Sequence, residues 1–296
     1  MPEMLWPSLP LKSWQDTRDT LQLYTQIAGK VRLELSPPEP EFAHVTLYLT
    51  ARGMTTGPMP CSGDRTLQID FDFIAHRVVL TTSDGGIRSI ALAARSVADF
   101  YKEFMALLGE LKVTCAITPI PQEVADLTPL DQDAKHSSYD AESVHRFWHV
   151  LRQVDTALKK HRAPFRGRHT PVQFFWGGFD LAYTRYSGLP ATPPPGANML
   201  YRLSMDAQEI YAGFWPGDPR FPEPAFASYV YPKPAGIEQS KIRPRAAFWK
   251  EQLGLFILRY EDVRGAASPA DTLKEFFSST YEVSATLAGW DRARLE

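Results

Sequence analysis

Residues 66–92, TLQIDFDFIAHRVVLTTSDGGIRSIAL, decide the fold class. Over 66–74, apolar Leu67, Ile69, Phe71 and Phe73 alternate with Gln68, Asp70 and Asp72. Side chains alternate across a strand, so this spacing predicts one apolar and one polar face. Two further runs, 78–82 and 87–92, flank Asp84-Gly85-Gly86. Glycines there supply the positive φ that a tight hairpin needs, so the strands run antiparallel. A half-polar face fits an antiparallel sheet; parallel strands, covered on both faces, read as apolar runs. Ser96 and Asp99 then open a helix whose stripe is Val97, Phe100, Tyr101, Phe104, Leu108 and Leu111.

Working outward, Ser13 and Asp16 form a capping-box-like start, and Trp14, Thr17, Leu21, Tyr24 and Ala28 mark a helix expected to stop at Gly29. KVRLEL at 30–35 alternates and reads as a strand, and after a proline-rich turn 44–52 reads as a second. Lys30, Arg32, Glu34, His44, Thr46, Tyr48, Thr50 and Arg52 would share one polar face. That face is either solvated or packed against the second half, leaving His44 and Arg52 at a cleft. Residues 119–139, rich in Pro, Asp and Gln, read as a linker between units 1–118 and 140–296. Asp140 then caps a helix with Val144, Phe147, Trp148, Leu151, Val154 and Leu158 inward. Strands follow at 172–176, 179–186, 209–215, 226–231 and 255–260, and Ser268-Pro269 opens the last helix.

The expected fold is therefore α+β, two helix-flanked, mainly antiparallel sheet units. SVADFYKEFM at 96–105 and SPADTLKEFF at 268–277 are alike, as one helix–sheet–helix unit used twice would leave them; two capped amphipathic helices with the same demands would also look alike. Eleven of the 25 prolines fall between Pro190 and Pro244, making the connections there stiff, and a structureless run at 190–204 reads as a lid or binding loop.

Composition narrows the function classes. A net charge of −2 and a pI near 6.4 argue against general nucleic-acid or membrane binding. No apolar run reaches the ~18 residues of a membrane span, and the first residues lack the pattern of a signal peptide. Two cysteines, Cys61 and Cys115, make no disulfide framework, so a cytoplasmic setting with free thiols is expected.

Two stretches carry the candidate site: PVQFFWGGFDLAYTRYSG at 171–188 and QEIYAGFWPGDPRFPEPAF at 208–226. Aromatic rings beside glycine mark strands that something approaches closely. Gln173, Trp176, Asp180, Arg185, Gln208, Glu209 and Trp215, with Arg52 from the first half, are the candidate ligand-binding residues. Asp180 and Arg185 would supply charge, and the planar fork of Arg185 suits a carboxylate or phosphate. Strands 172–176 and 209–215 are expected to lie close, bringing Gln173, Gln208 and Glu209 together.

Other groupings are weaker. His145 and His149 sit four apart on a helix, a metal-compatible spacing, but lie off the apolar stripe, as solvated residues do. The basic run 159–168 is either an anion site or a helix end that favours cations. His136, in the linker, is a candidate acid or base beside Glu209, or else a helix cap. Cys61 is a nucleophile only with a base nearby. No phosphate loop, nucleophile elbow, dinucleotide fingerprint or Cys/His metal pattern is present, and no cofactor is named by the sequence.

WPSLPLKSWQDTRDTLQLYTQIAGKVRLEL (6–35), LYLTARGMTT (47–56), FDFIAHRVV (71–79), SVADFYKEFM (96–105), FFWGGFDLAYTRYSG (174–188), AGFWPG (212–217) and LAGWDRARLE (287–296) together resemble the bacterial family catalogued as domain of unknown function 5996. The resemblance runs over nearly the whole chain and brings no established activity. It implies imidazoles where this chain has Gln173 and Gln208. An amide has no useful basicity, so a polar ligand without tightly held zinc is expected there. The functional expectation is a small polar or anionic ligand in an aromatic-lined cleft of the C-terminal half, as enzyme or binder. The alternative is an interaction protein with an exposed aromatic and proline-rich surface, for which an exposed apolar patch would be the sign.

Overall fold

A computed structural model describes residues 5–197 and 199–296. Residues 1–4, part of the stretch read for a leader, and Asn198, inside the 190–204 run, lie outside the described residues. The architecture is α+β, with two mainly antiparallel six-stranded sheets. Helix α1 (Gln15–Leu35) precedes the first sheet, a meander of β1 (Tyr48–Leu49), β2 (Gly53–Thr55), β4 (Thr66–Asp72), β5 (Arg77–Thr82) and β6 (Ile87–Ala91), with β3 (Met59–Pro60) also on β4. Helix α2 (Val97–Glu110) follows. Helix α3 (Ala141–Arg162) precedes the second sheet, ordered β11-β12-β10-β9-β8-β7. Its strands are β7 (Gln173–Phe175), β8 (Asp180–Pro190), β9 (Ala207–Trp215), β10 (Ala225–Tyr231), β11 (Phe248–Lys250) and β12 (Leu255–Arg259), with α4 (Met199–Ser204) between β8 and β9. Helices α5 (Tyr260–Arg264), α6 (Pro269–Leu287) and α7 (Arg292–Leu295) end the chain.

The strands expected at 66–74, 78–82 and 87–92 are present as β4, β5 and β6, with Leu67, Ile69, Phe71 and Phe73 buried. Ser96 Oγ accepts from Asp99 N, and Asp140 caps α3 through Glu142 N and Ser143 N. The full expected α3 stripe is buried. It joins one apolar core with residues of α1 and both sheets, as the Trp14–Phe147 ring contact at 5.1 Å illustrates.

Helix α1 corrects two expectations: it does not stop at Gly29, and 30–35 is helix. Tyr24, Ala28, Val31 and Leu35 continue one stripe at helical spacing, which overrides the local alternation of KVRLEL. Gly29 serves close approach instead of termination, since a Cβ there would lie 2.3 Å from the Trp176 indole. The stop falls at Ser36, in extended backbone (ψ 136°), because the following proline disfavours the helical region. Lys30 and Arg32 are thus buried on a helix.

The 44–52 strand is likewise reduced. Residues Pro40–Val45 form a 3-10 segment with positive φ at Glu41 and Phe42, and only Tyr48–Leu49 pairs within the first sheet. Leu47 instead exchanges backbone hydrogen bonds of 2.9 and 2.7 Å with Phe174, bridging the edges of the two sheets. The polar side chains His44 and Thr46 are buried at this bridge, while Arg52 stays exposed and pairs with Asp72 at 2.8 Å.

Residues between α2 and α3 contain no helix or strand, but they are tied down. Gln26 of α1 donates to Gln122 O (2.7 Å) and accepts from Gln122 N (2.8 Å), as a neighbouring strand would. The 190–204 run is not wholly structureless, because α4 forms within it and packs on Pro40–Val45. Among the described residues no helix is long and apolar enough to cross a membrane.

Candidate functional site

Strand alternation sorts the second sheet into two faces. Leu181, Tyr183, Phe214 and Phe226 join the core under α3 and α6, with Phe226 against Phe277 and Tyr183 against His161. The opposite face lines an open cleft of about 360 Å³, bordered by α4 and the 216–224 connection. On this face Ala182, Gly213 and Ala227 are register partners, a row of small residues over which larger side chains lie, and Ala227 itself lines the cleft.

Two tyrosines organise it. Tyr211 and Tyr229 are register partners and stack at 4.8 Å, with 10° between their planes. Tyr211 lies over Gly213, where a Cβ would sit 2.1 Å from the phenol oxygen, and donates to Asp180 Oδ2 at 2.6 Å. Tyr229 donates to Glu209 Oε1 at 3.1 Å. One stacked pair therefore holds two acids, one at each end.

Both carboxyls are pushed up. Burial raises Asp180 to about 7, the Tyr211 hydrogen bond opposing this and the nearby Glu123 charge adding to it. Burial raises Glu209 to about 8, against the Tyr229 hydrogen bond. A charged carboxylate is disfavoured where protein replaces water and no cation compensates. Glu123, exposed at the mouth with φ 55°, is also raised by its protein surroundings, with Arg220 opposing. A Cβ at Gly178 would lie 2.6 Å from Asp180 Oδ1 and 3.3 Å from Glu123 Oε2, so the two acids border one small space. Arg220 stands at the rim, bound to Asp218 at 2.5 Å; burial of Asp218 is outweighed by those hydrogen bonds and it stays low. Glu41, also lining the cavity, pairs with Arg168. The lining thus holds five carboxyls and one arginine.

Of the expected site residues, Gln173, Asp180, Glu209 and Trp215 line this cavity. Gln173 Oε1 accepts from Thr46 Oγ1 at 3.2 Å. Strands β7 and β9 are not adjacent, because β8 lies between them. Gln208 is turned to the other side of β9 from Glu209, where its Oε1 accepts from Ser187 at 3.0 Å, so it does not converge with Gln173. Trp176 packs over Gly29, donates to Val45 O at 2.7 Å and lines a neighbouring recess of about 330 Å³ that shares Glu123 and Gly178. Arg185 points to the helix side of the sheet, and Arg52 belongs to the first sheet. His136 bonds Asp133 at 2.6 Å, and its carbonyl accepts from Val97 N at the start of α2, outside the cavity. His44 accepts from Glu39 N at 3.1 Å. The His145 and His149 rings meet edge to face at 4.6 Å; among the described residues no group of three or more His, Cys, Asp or Glu is arranged for a metal.

Sequence reading missed Tyr211, Tyr229 and Glu123. The tyrosines carried a signal, since Glu209 and Tyr211 alternate onto one face. Glu123 carried none, because its place depends on the Gln26–Gln122 clamp.

A family model for a family of unknown function, DUF5996, matches residues 6–296, and the chain belongs to that family. No curated protein and no solved structure matches it.

Proposed function

We propose that the cleft binds a small polar molecule carrying a protonated nitrogen, and that Asp180 with Glu123 exchanges protons with it. The carrying observation is the lining itself: two carboxyls held by one tyrosine stack, a third beside Asp180, and a single arginine already bound to Asp218. A cation entering such a space would lower the affinity of these carboxyls for protons and form charge-assisted hydrogen bonds with them. Carboxyls poised near neutral pH in a cleft are also what general acid–base chemistry uses. The expected anionic ligand rested on Arg185, which faces the other way, so the cleft favours the opposite charge.

For the alternative of an exposed docking surface, Trp176, Trp215 and Phe226 are buried and do not support it, whereas Leu189, Met199, Tyr201 and Leu203 are exposed and do. A cytoplasmic setting belongs to the same proposal and is supported by the free Cys61 and Cys115.

The test is calorimetry with spermidine, agmatine and ethanolamine beside neutral diols of matched size. We expect saturable binding of at least one amine. Its heat should depend on buffer ionisation near pH 7 because protons leave the cleft, and binding should be lost in Asp180→Asn. Equal behaviour of amines and diols, or unchanged amine binding in both Asp180→Asn and Glu209→Gln, would sink the reading.

A further inference from the structure

The helix side of the second sheet holds a separate cavity of about 600 Å³, bordered by the C-terminal end of α3, by α6 and by α7. Arg185 reaches it from β8 and is 3% exposed. Its guanidinium lies between aromatic faces, 4.1 Å from the Tyr281 ring centroid and 4.8 Å from that of Phe165. Its Nη2 donates to His161 O, and its Nε to Tyr183 OH at 3.4 Å. Among the described residues no carboxylate pairs with it within ion-pair distance, and its Nη1 makes no hydrogen bond to protein. The Glu296 carboxylate, on the same cavity, is held low first by Arg292 and also by Arg185, but does not come within ion-pair distance of Arg185. A buried charge left without a close partner is unfavourable, and a planar fork fixed between rings is already oriented for an oxyanion.

The surroundings add three observations. The buried Tyr281 hydroxyl, on the same cavity, faces the Glu296 carboxylate, which also borders the cavity; burial, then Glu296, pushes the phenol up to about 12. His161 is held well below the usual imidazole range by burial and by Arg185, so it adds no second buried charge. Lys160 and Lys274 stand exposed at the rim, and Arg292 is committed to Glu296 at 2.7 Å. Asp271 and Glu282 also border the cavity, with Asp271 bonded to Ser268 at the start of α6. This places part of the basic run 159–168 at a cavity instead of in open solvent.

We propose that this cavity is a second binding site, which takes a small anion bearing a carboxylate or phosphate group on the buried fork of Arg185, with Lys160 and Lys274 guiding it in. It lies on the opposite side of the sheet from the acid-lined cleft and does not rest on the amine reading.

The experiment titrates the intact protein with inorganic phosphate in one arm and succinate in another. Ionic strength is held constant with sodium chloride, and thermal unfolding and calorimetry are followed. We expect saturable stabilisation by one of the two, which identifies the oxyanion. Arg185→Lys, which keeps the charge and removes the fork, should weaken binding roughly tenfold or more. Because Arg185 is buried and its variant can fail to fold, the exposed double variant Lys160→Ala/Lys274→Ala provides an independent reading. It should melt as the wild type does without anion and bind roughly three- to tenfold more weakly. No saturable shift with either anion overturns the proposal. So does binding that survives unchanged in the double variant and in any Arg185→Lys protein that folds.

Discussion

The two sheets present acids on their outer faces and treat them in opposite ways. On the first sheet Asp72 accepts from Arg52 Nε at 2.8 Å and from the backbone N–H groups of Ile74 and Ala75 at 3.0 and 2.9 Å. Its burial is outweighed by these donors, and its carboxyl stays below the usual range. On the second sheet Asp180 and Glu209 each receive a phenol, with no cation at ion-pair distance among the described residues, and burial carries both up. The difference comes from the cover. The first sheet's outer face is open enough for Arg52 to reach over it, whereas α4 and the 216–224 connection border the second. An acid satisfied by donors is architecture; a buried acid left short of positive charge is a place for a ligand.

The comparison breaks most readily on the pH dependence of stability. Below pH 4 Glu209 holds its proton in both folded and unfolded chains. From its ordinary value near 4.5 up to about 8 only the folded chain does, so stability falls through that window and levels off above it. Asp180 acts in the same direction between 3.8 and about 7. Glu209→Gln keeps an acceptor for Tyr229 and removes the titration. It should match the wild type near pH 4 and exceed it by ~3–4 kcal/mol at pH 8 in urea unfolding. Asp72→Asn should do the reverse, costing about 2 kcal/mol at pH 7, with the gap closing as acid protonates the wild-type carboxyl. If Glu209→Gln and wild type run parallel from pH 4 to 8, Glu209 is ionised in the fold and the contrast between the sheets is false.

A second test sharpens the role of the small-residue row. In Gly213→Ala the new methyl meets the Tyr211 phenol and, at 2.7 Å, the Leu181 carbonyl. The ring has to leave Asp180, and overpacking of this kind costs ~1–3 kcal/mol. Ser89→Ala, on the exposed face of the first sheet, should change stability by less than ~0.5 kcal/mol. Chemical denaturation of the two variants measures the difference, and equal costs would mean that Tyr211 has room to move.

Much of this arrangement was legible in the sequence wherever one local rule sufficed. Alternation gave the central strands of both sheets but misread 30–35, capping gave the starts of α2 and α3, and rings beside glycine pointed to Asp180 and Glu209. Reading failed where a partner far along the chain decides. Gly29 reads as a helix stop until Trp176 is seen lying on it. Arg185 is the exception: it reads as part of the same site as Asp180, although their odd spacing along one strand already puts them on opposite faces. Glu123 reads as linker because nothing local says that Gln26 will hold its neighbour against α1.

The smallest effect tests whether the tyrosine stack treats its two acids separately. Tyr229→Phe keeps the ring against Tyr211 and removes only the donor to Glu209. That hydrogen bond favours the charged carboxylate, so its loss should move the Glu209 midpoint further up. It should also cost ~1 kcal/mol at pH 8 and less near pH 4, where the carboxyl is neutral and less dependent on a donor. Tyr211→Phe should do the same for Asp180 and leave Glu209 in place. Carboxyl carbon shifts in NMR titrations of the two variants follow each acid on its own. If each phenylalanine moves only its own partner, the stack is a scaffold with two independent ends. If either variant moves both midpoints, charge at one end is felt at the other through the paired rings. A ligand seated at Asp180 would then reset the proton on Glu209 as well.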